Sequence, residues 1–158
     1  MIYATATVPV NPAGEEPLTR EQVWKGLVLK ARNATQFLPP GFCDKCEVVQ
    51  EGKDFIVREA IIFKESLTEI VTFEPMTKVS FHQFKGPREG VIVNELIDDA
   101  GGALHLRFYC LLGLRGITPD GPEEQQEKAR MSSEDKGYKS ALLSTLARTR
   151  TLVREGKI

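Results

Sequence analysis

Apolar and polar residues alternate over the first ten positions of the chain, with Ile2, Ala4, Ala6, Val8 and Val10 set against Tyr3, Thr5 and Thr7. This period of two predicts a strand buried on one face. NPAGEEP ends it. The period then changes: Thr19 and Gln22 form a capping-box pattern, and Trp24, Leu27, Val28 and Ala31 follow at helical spacing, which predicts a helix over TREQVWKGLVLKARN. In ATQFLPPGF, Phe37 and Leu38 precede two prolines, so a short helical turn and then a bend are expected.

From Glu47 to Leu114 the pattern returns to period two. CEVVQ, DFIVREAIIF, LTEIVTF, KVSFHQF, GVIVNELI and ALHLRFYCLLGL read as strands, joined by EGK, KES, EPMT, KGPRE and DDAGG. Such short connections predict an antiparallel meander. ITPDGPEEQQEKA is polar, with Pro and Gly, and reads as a solvated loop. Ser132 and Asp135 suggest a second capped start, after which Tyr138, Ala141, Leu142, Thr145, Leu146, Thr149 and Val153 fall on one side of a long amphipathic helix ending near Gly156. The predicted class is α+β. A curved antiparallel sheet must cover its apolar face, and the last helix is the element long enough to do so.

VPVNPAGEEPLTREQVWKGLVLKAR, CEVVQEG, VREAIIF, LHLRFY and the closing TRTLVREGKI resemble one branch of the START-like (SRPBCC) superfamily, the AtaL-like family of fungal secondary-metabolite clusters. The resemblance covers nearly the whole chain. It implies the helix-grip fold, a curved antiparallel sheet of about seven strands wrapped around a long C-terminal helix with an internal cavity. It supplies no catalytic signature, so it implies a fold more firmly than a reaction.

Three glutamates stand out against this background. Side chains two apart share a strand face, so Glu59 is expected beside Phe55, Val57, Ile61 and Phe63, Glu69 beside Leu67, Val71 and Phe73, and Glu95 beside Val91, Val93 and Ile97. Gln83 likewise accompanies Val79 and Phe81. Burying an unpaired carboxylate costs several kcal/mol or raises its pKa by up to ~3–5 units. A cavity with a few convergent polar groups accommodates one where a dry core does not. Glu59, Glu69 and Glu95 are therefore the candidate acid-base residues, with Glu59, in mid-strand, foremost. Val57, Phe73, Phe81, Gln83, Val93 and Phe108 from the strands, and Trp24, Tyr138 and Leu142 from the helices, are the candidate ligand contacts. The alternative reading stands beside this one: a single β-bulge reverses the alternation, a strand-end glutamate reaches water at a rim, and Trp24 and Tyr138 serve as plain helix-to-sheet core. The opposite faces, with Arg58, Thr72, His82, Asn94, His105 and Arg107, read as solvent-facing.

Composition narrows the function without choosing it. A chain of 158 residues, 41% hydrophobic, suits one ligand-binding domain over residues 1–158. A formal charge of −1 and pI near 6.2 give no support to nucleic-acid or anionic-membrane partners. No apolar run approaches the roughly 20 residues of a membrane span, and MIYATATVPV lacks a basic leader, so a cytoplasmic protein is expected. Cys43 and Cys46 form a C-x-x-C without two further ligands at zinc spacing, and Cys110 sits in an apolar run. G-x-S-x-G and nucleotide-binding glycine motifs are missing. The expectation is a site without metal or redox cofactor that takes a hydrophobic small molecule. Two classes remain: a non-redox tailoring enzyme of cyclase, isomerase or dehydratase type, and a non-catalytic carrier. A carboxylate paired with a donor deep in the pocket would favour the enzyme, and a uniformly apolar pocket the carrier.

Overall fold

In the computed structural model, which describes residues 1–134 and 137–158, a first strand β1 (Ile2–Pro9) is followed by helix α1 (Arg20–Arg32) and a 3-10 turn (Ala34–Gln36). Six strands follow: β2 (Cys43–Glu51), β3 (Phe55–Ile62), β4 (Glu65–Glu74), β5 (Lys78–Lys85), β6 (Arg88–Asp98) and β7 (Leu104–Leu114). Helices α2 (Pro122–Met131) and α3 (Tyr138–Arg154) complete the order. All strand pairings are antiparallel, and the sheet runs β1-β7-β6-β5-β4-β3-β2. The meander is as expected from the turn spacing, with β1 closing one edge against β7.

Helix α3 buries Ala141, Leu142, Thr145, Leu146, Thr149 and Leu152, a stripe at helical spacing. The two buried threonines return their hydroxyls to Ala141 O and Thr145 O at 2.7 and 2.8 Å, so neither leaves an unpaired donor. Helix α1 packs against α3 and shares the coverage of the sheet. The two helices come close at Gly26, where a Cβ would lie 2.3 Å from Thr149 Oγ1. Thr19 and Gln22 make the expected reciprocal capping box at the start of α1.

Four expectations need correction. The stretch read as a solvated loop contains α2. Pro122 at its first turn, Glu123 and Glu124 beside it and Lys128 and Arg130 in its last turn match the helix dipole, which an emphasis on Pro and Gly as breakers obscures. Ser132 caps the end of α2 rather than starting the next helix, and Asp135 lies outside the described residues. On α1 the buried stripe is Val23, Gly26, Leu27, Lys30 and Ala31, rotated from the one centred on Trp24 and Val28.

The fourth correction concerns strand faces. In β3 the inward residues are Ile56, Arg58, Ala60 and Ile62, and Glu59 is exposed. Phe63 and Lys64 form a two-residue hairpin loop, both left-handed at φ of 50° and 67°, as a type I′ turn requires. That loop pairs Ile62 with Glu65 and therefore Arg58 with Glu69. Because β4 turns Leu67, Glu69 and Val71 inward, β3 must turn Arg58 inward. In β6, Asn94 lies opposite Phe108 and Leu96 opposite Leu106, so Ile92, Asn94 and Leu96 face the core and Val91, Val93, Glu95 and Ile97 face out. Both strands are apolar on both faces, and alternation within one strand does not decide between them.

Candidate functional site

Between the inner face of the sheet, the end of α1 and the start of α3 lies a cavity. The space in it open to the centre of a water-sized sphere is about 80 Å³. Phe81, Ile92, Phe108, Tyr138, Ala141 and Leu142 form its apolar walls. Tyr138 stacks on Phe108 with ring centroids 3.6 Å apart, and burial pushes the Tyr138 hydroxyl well above its ordinary pKa.

Polar groups converge on this apolar shell from α1, β3, β4, β5 and β6. Arg58 Nε donates to Glu69 Oε2 at 2.6 Å, and Gln83 Nε2 donates to Glu69 Oε1 at 2.9 Å. Both carboxylate oxygens are thereby occupied. Arg58 also lies over the Phe81 ring at 4.7 Å. Its Nη1 donates to Ala31 O at 2.9 Å and Lys30 O at 3.4 Å, satisfying carbonyls that the last turn of α1 leaves open. Burial opposes the guanidinium charge, but the Glu69 carboxylate together with the sulfurs of Cys46 and Cys43 more than offsets that and holds the Arg58 pKa above its usual value. Gln83 Oε1 is buried and has no hydrogen-bond partner among the described residues.

Lys30 is the second polar group of the floor. Its Nζ donates to Asn94 Oδ1 at 2.9 Å, and its side chain lines the cavity. Burial, then the adjacent Arg58 charge, lower its pKa to about 7, against an opposing pull from Glu69. A lysine in this state divides between amine and ammonium at neutral pH.

At the mouth, Phe63 packs on Phe42 with centroids 4.7 Å apart, and Arg130 lies 4.2 Å above the Phe63 ring. Arg130 is tied to Glu127 at 2.6 Å, and Arg88 meets both Glu127, at 3.0 Å, and Glu65, at 2.8 Å. Burial disfavours the Glu127 carboxylate, but Arg130 and Arg88 together hold its pKa below the ordinary range.

The cavity thus brings together Glu69, Phe81, Gln83, Phe108, Tyr138 and Leu142 from the residues singled out in the sequence. It does not include the others. Glu59 is on the outer face opposite Thr68 and Glu47. Glu95 is on the outer face too, where Arg107 Nε donates to its Oε2 at 3.1 Å. Val57 is half-buried and Val93 buried on that same outer side, Val93 between Ser80 and Tyr109. Trp24 meets Phe73 edge to face at 6.5 Å, a core contact away from the cavity. Sequence reasoning missed Lys30, Arg58 and Asn94. Lys30 had a legible signal: it sits three residues after Leu27 and seven after Val23, on the face a globular helix buries. Among the described residues, no three His, Cys, Asp or Glu side chains are grouped to hold a metal ion. No described helix is long and apolar enough to cross a membrane.

Residues 4–156 match the family model described as "Acetylaranotin biosynthesis cluster protein L", AtaL. The chain belongs to the AtaL family. No protein of curated function matches the sequence significantly. Among solved structures, the ZhuI aromatase/cyclase from Streptomyces sp. R1128 superposes with a TM-score of 0.67 at 16% identity, over 96% of this chain and 94% of that one. The di-domain aromatase/cyclase StfQ of the steffimycin biosynthetic pathway gives 0.62 at 8% identity, over 98% of this chain and 51% of the longer one. Ara h 8.0201 gives 0.57 at 12% identity, over 94% and 97%. At these identities the likeness establishes the fold. This AtaL-family chain has the helix-grip architecture shared by aromatase/cyclases and by Ara h 8.0201, as the sequence resemblance implied.

Proposed function

We propose that this AtaL-family protein is a non-redox tailoring enzyme of secondary metabolism, of the cyclase, isomerase or dehydratase class, acting on a hydrophobic intermediate held in the cavity between sheet and α3. One observation carries the reading: the floor of an apolar cavity holds Glu69 paired with Arg58 and Gln83, next to Lys30 paired with Asn94. A uniformly apolar pocket would suit a carrier. This one concentrates charge that is costly to bury, and sites that do so are often built for proton transfer or for stabilising developing charge.

The roles follow from the contacts. Glu69, with both oxygens engaged, fixes Arg58 and Gln83 in place. Arg58 supplies a permanent positive charge toward developing oxyanion character. Lys30, divided between its two protonation states near neutrality, is the group suited to take and return a proton. Phe81, Phe108 and Tyr138 supply aromatic walls for a flat or unsaturated substrate. The aromatase/cyclase neighbours support the same class, and membership of a family described by a biosynthesis cluster supports a small-molecule substrate.

The test is to incubate the purified protein with extracts of a strain whose corresponding cluster gene is deleted. The expected result is a mass-neutral or water-loss conversion of an accumulated compound. Retention of that compound unchanged, at stoichiometric occupancy, would instead identify a carrier.

A further inference from the structure

The polar floor of the cavity contains an amine in an unusual setting. Lysines such as Lys25 and Lys139 keep about half of their side-chain surface in water, at 53% and 44%. Lys30 keeps 7%. It is carried into the interior by the buried stripe of α1, its Nζ is oriented by a neutral partner, Asn94 Oδ1, and it lines the apolar cavity directly. Glu69, the carboxylate whose charge acts on Lys30, is already engaged by Arg58 and Gln83. Arg58 lines the same cavity, and its charge opposes an added ammonium there. A desolvated lysine beside a second cation is a recognised way of presenting a nucleophilic amine at neutral pH.

We infer that Lys30 acts as a covalent nucleophile toward a ketone or aldehyde of the substrate, forming a Schiff base, and that the substrate class is a hydrophobic compound bearing two or more carbonyl groups. This deepens the proposed tailoring role and rests on it. The Nζ lone pair attacks the carbonyl carbon, and the carbon–oxygen π pair moves to oxygen, which takes up a proton. The nitrogen loses a proton, a second proton reaches the hydroxyl, and that oxygen leaves as water while the C=N bond forms. The resulting iminium acidifies the neighbouring C–H. Loss of that proton gives an enamine whose carbon attacks a second carbonyl of the same molecule; the ring bond forms, the carbon–oxygen π pair moves to oxygen, and a proton taken up there replaces the one lost and gives the new hydroxyl. Water then hydrolyses the regenerated iminium and returns Lys30. The balance is mass-neutral, or minus one water where the new hydroxyl is eliminated, and it consumes no oxidant or reductant. The polar and titratable groups that line the cavity with the amine are Arg58 from β3, Glu69 from β4, Gln83 from β5, Arg88 and Asn94 from β6, Arg130 from α2 and Tyr138 from α3.

The experiment uses 2,4-pentanedione, a small diketone that converts amines to stable conjugated enaminones. The whole protein is treated at about pH 7.5, where an ordinary lysine is amine to about one part in a thousand, and adducts are mapped by peptide mass spectrometry. The expected result is an adduct of the diketone less one water on Lys30, forming roughly tenfold or more faster than on Lys25 or Lys139 and accompanied by near-ultraviolet absorbance. Lys30→Arg, which keeps the charge and removes the nucleophile, is expected to abolish it. Labelling of Lys30 no faster than of Lys25 in the unmodified protein overturns the proposal, and that comparison needs no variant to fold. A parallel titration with an apolar fluorescent dye separates the two readings. Dye bound and displaced by an aromatic diketone without a Lys30 adduct removes the Schiff base and leaves the tailoring site. Failure to bind either dye or diketone removes both.

Discussion

Two Arg–Glu pairs in this molecule are built from the same parts and occupy opposite faces of the sheet. Arg58 and Glu69 stand directly opposite each other on β3 and β4, and Arg107 and Glu95 do so on β7 and β6. The inner pair keeps 4% and 1% of its side-chain surface in water, whereas the outer pair keeps 41% and 19%. The outer pair is an ordinary cross-strand contact, screened by solvent. The inner pair is surrounded by further partners: Gln83 on the carboxylate, two α1 carbonyls and an aromatic face on the guanidinium. Desolvation makes that network obligatory, since neither charge has water to fall back on. The lesson is that a carboxylate on a strand acquires functional weight from the completeness of its shell, and Glu69 alone of the three candidates has one.

The contrast can be broken most severely from the inside. Glu69→Ala strands the Arg58 charge and is expected to cost ~3–5 kcal/mol of unfolding free energy by denaturant titration. A loss below about 1 kcal/mol would mean that water enters the cavity floor and screens the charge.

Next comes Lys30, through pH. Its folded pKa of about 7 lies below the ordinary value of 10.5, so between these values the unfolded chain binds more protons and stability rises with pH. The gain is expected to be about 1 kcal/mol from pH 7 to 8, a window that stops short of the ordinary thiol range, where ionisation of Cys43 and Cys110 in the unfolded chain would oppose it because burial pushes their folded thiols up to about 11. Lys30→Met is expected to remove this slope. Parallel slopes in the two proteins, measured by chemical unfolding, would show Lys30 to be solvated.

On the outer face the effects shrink. Glu95→Ala is expected to cost about 0–1 kcal/mol and to weaken further as a perturbation at high salt. A cost like that of Glu69→Ala would erase the distinction between faces. Smallest of all is Glu59→Gln, expected to stay within about 0.5 kcal/mol of the parent, with binding of an apolar dye unchanged. A clear loss of dye binding would return Glu59 to the site.

Periodicity made the architecture readable because most elements present one apolar face at a time: β1, β4, β5, β7 and α3 each bury the set their spacing selects. It failed at β3 and β6, whose two faces are about equally apolar, so orientation depends on a partner strand and on turn geometry. The deciding turn, Phe63–Lys64, has neither glycine nor asparagine to announce its left-handed backbone. Glu69 and Gln83 were legible as polar interruptions of an inward face. Arg58 was hidden by the misassigned face, and Lys30 by the habit of reading lysine on a helix as solvent even at a buried position.

The two-residue loop between β3 and β4 has an evolutionary consequence. Adding or removing one residue there slides β3 by one position against β4, which would turn Arg58 outward and bring its neighbours into the cavity. The segment between β1 and α1 carries no such register, since residues 12–17 are exposed and belong to no strand. Insertions and deletions among family members should therefore accumulate between Asn11 and Leu18 and be purged between Ile62 and Glu65. An aligned set of sequences keeping the Arg58–Glu69 pair while varying the length of the loop between Ile62 and Glu65 would contradict this.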